Sequence, residues 1–378
     1  VVDVRSRTEE LLAAGLAALT NRARPVVVFV HGADRRVGPG FAPLRRIVDQ
    51  LALRGMDVQE WAAAVDAEPP APLPPAPGEP LRPVVYAALG MDVDSPDSAK
   101  RMSALAGALS RLIGTGKNVL VSVNPSLLPG AGASDPMVEP LAAVGIAPDS
   151  GRPLLEEVPG GAPGAARQVS RDQLLTDPGS THPIAGAVAP LRTRLAWPIP
   201  LALASGAALP AGVKVEPVVT VPARAGLWAE SEWYVRPGAS VPANDSPRDS
   251  AGGPGPWVLA AAAERDHGAG PGEGAPGTQR VVVVGSGPWF LQSTLTREQG
   301  VIDGRLAMDA PGNAELFLAS VAWLAGQDDA MSRGATAEAV PTIPNLSPAQ
   351  RGAFRWAFIA GLPLSILLTG AIWRIWRR

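Results

Sequence analysis

Apolar runs and helical periods alternate through the first third of the chain. Leu11, Leu12, Gly15, Leu16 and Leu19 recur at helical spacing behind Ser6 and Glu9, which stand at capping-box distance, and predict a first helix. Pro25 then opens Val26-Val27-Val28-Phe29-Val30, a continuous run that predicts a strand buried on both faces. A second helix starts near Pro43, turns Leu44, Ile47, Val48 and Leu51 inward and stops at Gly55, where a left-handed cap suits glycine. Further strands are predicted at Asp57 to Trp61, Val84 to Leu89 and Asn118 to Val123, with a helix from Ser95 and Pro96 to Ile113 before the last. Strands spaced by helices imply an α/β fold with a doubly wound, mostly parallel sheet over residues 1–150.

The middle of the chain reads differently. Pro69 to Pro83 holds eight prolines in fifteen residues and predicts an extended surface loop. Gly/Pro/Ser-rich linkers are expected at 158–166, 237–256 and 266–279. Between the first two, Val213 to Val221 and Trp228 to Val235 are β-like and predict an inserted or second β-rich lobe over 151–256. The parallel pattern resumes over 257–326, with strands at Trp257 to Ala263 and Arg280 to Gly285 and a helix from about Asn313 to Ala325. That helix is apolar enough to anchor Phe317 and Trp323 against the sheet and close the core. Residues 327–350, with Pro341, Pro344 and Pro348, read as a stalk.

Residues 351–378 read as a membrane anchor. Trp356 to Trp373 runs 18 residues without a charge, between Arg351 and Arg355 on one side and Arg374, Arg377 and Arg378 on the other. At the helical rise this covers roughly 27 Å, close to the hydrocarbon thickness of a bilayer. Trp356 at one end and Trp373 and Trp376 at the other stand where amphipathic rings settle at headgroup level. Gly361 and Gly370 would let another helix approach closely, although glycine is also simply tolerated in membrane helices. Three arginines after the span against two before it place the short tail in the cytoplasm and the bulk of the chain outside it. The chain opens at Val1 without a signal-like apolar run, and an N-terminal segment is expected to be missing.

Charge and composition narrow the chemistry. A net charge of -2 gives no chain-wide basic field, so nucleic acid is not an expected partner. The chain has no Cys, which excludes thiol catalysis, and its three histidines, His31, His182 and His267, have no metal-ligand spacing. Gly285-Ser286-Gly287 after a strand lacks the third glycine of a dinucleotide loop and the outer glycines of a nucleophile elbow, and reads as a tight strand exit. Gly114-Thr115-Gly116-Lys117 lacks the remainder of a phosphate loop and reads as a helix end. No cofactor is expected. His31-Gly32-Ala33-Asp34 ends the first strand, at the edge where such sheets place ligands. It is read as a polar turn, or with His31 as a base or contact oriented by Asp34. Asn124-Pro125 ends another strand at the same edge and either lines a shared crevice or starts a turn.

Several segments in order resemble the GldG-like family of gliding-motility ABC-transporter auxiliary proteins. They are Thr181-His182-Pro183-Ile184, Val215-Glu216-Pro217-Val218-Val219-Thr220 and Leu227-Trp228-Ala229-Glu230 in the middle of the chain. Later come Arg280 to Gly285, Gly312 to Leu318, Val321 to Gly326, Leu346-Ser347-Pro348-Ala349-Gln350 and the terminal Trp376-Arg377-Arg378. The first strand, Arg54 to Val58 and the turn before Asn118 are similar too. The chain departs from the family at Ser286-Gly287-Pro288, where an acidic residue is usual, and in lacking an N-terminal span. The resemblance implies a glutamine-amidotransferase-like α/β domain without its catalytic cysteine. It also implies a place at the bacterial inner membrane beside an ABC permease and its separate ATPase, and no catalysis by this subunit.

The leading expectation is therefore a non-catalytic auxiliary subunit of an ABC-type transport system. His31, Asn124, His182, Trp228 and Glu230 are its candidate ligand or partner contacts, and Trp356, Gly361, Gly370, Trp373, Arg374 and Trp376 its anchor. Two alternatives stand beside it. A tethered hydrolase would use Ser286 or another serine with His31, and a tethered carbohydrate-binding module would use exposed Trp228, Trp233 and Tyr234.

Overall fold

A computed structural model of the chain describes residues 24–328, apart from 37, 39–41, 72–73, 75–79, 91–97, 159–167, 190, 234–255, 268–276 and 303–304. The first helix, most of the linkers and stalk, and the anchor expected at 351–378 lie outside the described residues. Among the described residues no helix is long and apolar enough to cross a membrane.

The protein is α/β with a mostly parallel central sheet. Seven strands form it: β1 (Val26–His31), β2 (Asp57–Ala62), β3 (Val84–Ala88), β4 (Asn118–Ser122), β5 (Val213–Val221), β6 (Trp257–His267) and β7 (Gly277–Val284). Their spatial order is β5-β6-β7-β4-β3-β1-β2. β2, β1, β3, β4 and β7 run parallel. β6 is antiparallel to both β7 and β5, so the sheet ends in an antiparallel extension.

Each continuous apolar run is explained by cover on both faces. Val27 and Phe29 of β1 point to one core, with Leu44, Ile47 and Leu51 from the turn Ala42–Leu44 and helix α1 (Arg45–Leu53). Val26, Val28 and Val30 point to the other, where Leu105, Leu109 and Leu112 of α2 (Ser98–Gly114) pack. A short helix α3 (Pro183–Val188) and helix α4 (Pro311–Leu324) complete the first face. Twelve residues of α4 are buried, from Gly312 to Leu324, and a helix apolar all round is stable only when enclosed. Phe317 is fully buried and stacks on Phe29 at 6.0 Å, and Trp323 is 4 % exposed, so both are core residues as expected.

The middle segment needs a correction. Three small antiparallel sheets do lie between β4 and β5 in the chain: Ile146–Pro148 with Leu201–Leu203, Asp172–Leu175 with Thr193–Ala196, and Leu154–Val158 with Gln168–Ser170. The last gains a third strand at Leu227–Ala229. Val213–Val221, expected in the inserted lobe, is instead the edge strand of the large sheet. Its Lys214, Glu216 and Pro217 give it the polar alternation of an edge position rather than of a separate lobe. The described strands of 151–256 belong to the same compact unit as that sheet.

Candidate functional site

The C-terminal ends of β1, β3, β4 and β7 form one edge of the sheet. In the order β2-β1-β3-β4 the connections change direction between β1 and β3, and ligands of open α/β sheets gather outside such a point. Here the crevice is closed by α2. A Cβ on Gly32, just after β1, would stand 2.1 Å from the Arg101 carbonyl oxygen, so glycine is what lets the helix backbone settle onto the strand exit. Arg101 also reaches Asp34 at 3.5 Å.

Asp34 therefore turns to Arg101, and the alternative in which it orients His31 is set aside. The His31 ring points to the α1 side, beside Phe29, Leu44, Val48 and Val58. Its Nδ1 accepts the Ala33 N–H at 3.2 Å, which leaves the proton on Nε2 to be donated to Glu60 Oε1 at 2.8 Å. The second Glu60 oxygen accepts the Gly38 N–H at 2.6 Å. The register that sets Phe29 opposite Glu60 brings this carboxylate within reach. The arrangement ties the chain after β1 to β2, with both imidazole nitrogens engaged.

Ser286 and His31 are not brought together. Ser286 is fully buried and donates to the Ala196 carbonyl at 2.7 Å. β4 and β3 stand between its strand and β1, which at the inter-strand spacing separates the two by roughly 14 Å. A serine held this way has neither a base nor an approach for substrate. Nearby, Ser122 at the end of β4 accepts the indole N–H of buried Trp289 at 2.8 Å.

Asn124 is wedged between two strand exits. Its side-chain amide lies 3.0 Å from where a Gly90 Cβ would be, and its Oδ1 only 1.4 Å from where a Gly287 Cβ would be. It lines a small cleft that His31 does not share. This cleft, at the ends of β3 and β4, is bounded by Gly90, Asn124, Ser126 and Asp135, with Met102 and Met137 as part of its wall.

The remaining candidates are structural in their geometry. His182 is 5 % exposed and caps α3, its Nδ1 accepting the Ile184 N–H at 3.2 Å. Burial pushes its pKa below the ordinary value, against a smaller opposing pull from Glu216 and Glu264. Trp228, expected to be exposed, and Glu230, a candidate contact, are 7 % and 4 % exposed and bond to each other through the indole N–H at 3.0 Å. Leu227–Ala229 is a strand of a small sheet, and pairing with Leu154–Val158 turns Trp228 inward. Trp233 is half-buried and stands edge-on to Trp197 at 5.3 Å. Tyr234 and the anchor residues Trp356, Gly361, Gly370, Trp373, Arg374 and Trp376 lie outside the described residues.

Two polar centres had no sequence signal. Glu60 sits in an ordinary alternating strand, and its partner is set by register. Arg194, which pairs with Asp172 and Asp309, joins residues far apart in the chain. Asp135 carried the weak signal of an acidic residue opening a turn, since its Oδ1 accepts the Met137 N–H. Among the described residues no group of three or more His, Cys, Asp or Glu side chains is placed to hold a metal ion. No protein-family model matches this chain, and no curated protein matches it.

Proposed function

We propose that this chain is a non-catalytic, membrane-anchored auxiliary subunit of an ABC-type transport system. In this reading a doubly wound, glutamine-amidotransferase-like domain with an inserted β-rich lobe stands outside the cytoplasm on a C-terminal transmembrane helix. That helix packs against permease helices, and the permease works with its own ATPase subunit. The ordered resemblance to GldG-like proteins supports the transport role, and the uncharged run from Trp356 to Trp373 supports the anchor.

The observation that carries the non-catalytic part is the separate commitment of His31 and Ser286. One is locked to Glu60 and the Ala33 amide, the other to the Ala196 carbonyl, on strands with two others between them. Groups engaged in this way hold the sheet edge in shape and leave it to act as a contact surface.

Purification of the tagged full chain from native membranes tests the assignment. A permease and an ATPase subunit are expected to co-purify in fixed ratio, and the chain alone in detergent would refute it. Deletion of 351–378 should move the protein out of the membrane fraction. A truncated chain that still pellets would remove the single-anchor reading.

A further inference from the structure

The segment that leads into α3 lies along the edge strand β5 like a strap. Pro178 O accepts the Thr220 N–H at 2.8 Å, Gly179 O accepts the Thr220 hydroxyl at 2.7 Å, and Ser180 Oγ donates to Pro217 O at 2.5 Å. A Cβ on Gly179 would stand 2.3 Å from Thr220 Oγ1, so glycine is what lets the strap settle onto the strand. The strap ends at His182. Its N–H donates to Ser180 Oγ at 3.1 Å, while its ring turns inward against Trp323 and accepts the Ile184 N–H on Nδ1.

An imidazole that accepts on Nδ1 carries its proton on Nε2, and a second proton can go only to Nδ1. Proton uptake and the α3 cap therefore exclude each other at one atom. The ring is buried, and a charged ring regains hydration only by leaving that place. The charged groups that bear on it come from three strands: Lys214 and Glu216 of β5, Glu264 of β6 and Arg280 of β7. Glu216 is paired with Lys214 at 2.7 Å and Glu264 with Arg280 at 2.9 Å, so each carboxylate that would attract an imidazolium already faces a cation. Asp328, beyond α4, is also held by Arg280, and Asp177, on the strap itself, accepts the Gly179 N–H. Burial outweighs the two carboxylates, and the ring pKa lies below its ordinary 6.5.

We propose that His182 is an acid-sensitive latch whose protonation ends the cap at Ile184 and lifts residues 178–182 from β5. The Thr220 N–H and the Pro217 carbonyl are then left open at the border of the sheet. Ser180 Oγ transmits the release, since it holds both the His182 N–H and the Pro217 carbonyl. The five parallel strands keep their ladders, because none of these bonds belongs to them. The latch does not depend on the transport role.

Hydrogen exchange of the full chain in detergent, read by mass spectrometry at about pH 7 and about pH 5.5 and corrected for the intrinsic pH dependence of amide exchange, is the direct test. Protection of segments 177–188 and 213–221 should fall at the lower pH by several-fold, up to about tenfold one unit below the ordinary histidine pKa, while β1 and β4 hold. His182→Asn keeps an acceptor for the Ile184 N–H without titrating in this range and should abolish the fall. Unchanged protection in either segment, an equal loss in β1 and β4, or the same fall in His182→Asn would each overturn the proposal. If the variant does not fold, the contrast between the strap with β5 and the central strands of the unaltered protein decides alone.

Discussion

His182 stands edge-on to Trp323, with ring centroids 5.1 Å apart and planes at 69°. The Arg280 guanidinium also lies 4.7 Å from the centre of the same indole, and its Nη1 donates to the Trp323 carbonyl at 2.6 Å. One indole thus joins the cap of α3, the end of α4 and strand β7.

Replacing Trp323 by Ala empties this junction. The loss is expected at about 3–5 kcal/mol, the range for deleting a large aromatic side chain from a core. Thermal melting of the full chain measures it. If Trp323 served as an outward docking surface instead, the melting midpoint would hold and complex formation would fail.

Stability should also depend on pH through His182. Burial holds its folded pKa below 6.5, so the fold favours the neutral ring that accepts the Ile184 N–H. Above pH 6.5 this contribution is complete, and it is lost as the pH falls from 6.5 toward the lowered folded value, where the unfolded chain takes up the proton first. His182→Asn keeps a cap acceptor without titrating there and should flatten the profile in that window. A profile unchanged by the substitution would remove His182 as the cause. The Lys214 hydrogen bond lowers the pKa of Glu216, so any effect of that carboxylate comes below its ordinary 4.5.

Gly287→Ala places a methyl group where Asn124 Oδ1 already is. The side chain is held against Gly90 on its other side and has little room to give. A cost of about 1–3 kcal/mol is expected, typical of overpacking. In a double-mutant cycle by denaturant unfolding, Asn124→Ala with Gly287→Ala should cost less than the two singles together. Simple additivity would show that the amide is not the obstacle.

Arg194 pairs with Asp172 and Asp309 while its side chain is 11 % exposed. Its backbone is bound on both sides by Asn313, which accepts from the Arg194 N–H at 2.7 Å and donates to its carbonyl at 2.8 Å. Arg194→Met removes the nearest counter-charge of Asp172 and Asp309, leaves Asp309 only the longer pairs to Arg192 and Arg297 at 3.8 Å, and should cost about 3 kcal/mol, the low end for breaking a buried pair. Asp172→Asn/Asp309→Asn in the same background should recover part of that loss in chemical denaturation. No recovery would locate the cost in packing rather than charge.

The large sheet was legible where its strands are covered on both faces. β1, β3, β4 and β7 announce themselves as unbroken apolar runs because helices lie above and below them. β5 was assigned to the wrong sheet for a physical reason. Lys214, Glu216 and Pro217 mark a strand with an open side, but the choice of partner, β6, is a contact between residues far apart in sequence. The candidate site divides in the same way. That His31, Asn124 and Ser286 sit at strand exits follows from local pattern, whereas Glu60 reaches His31 through register and Arg101 reaches Asp34 through helix placement. Trp228 looked like a surface ring because nothing local shows that Glu230, two residues on, takes its N–H inside the protein.

The edge at β5 has a further consequence for the protein at high local concentration. Ladder register shifts twice around Val219, and the segment before α3 lies along the strand. The Thr220 N–H donates to Pro178 O at 2.8 Å, and Ser180 Oγ donates to Pro217 O at 2.5 Å. Two of the groups that would template a new strand there are thus already used within the chain. Fibre growth by strand addition is head-to-tail and requires two complementary open edges on every copy. With these two groups of the β5 border occupied, strand addition at this edge would first have to displace the segment at Pro178 to Ser180.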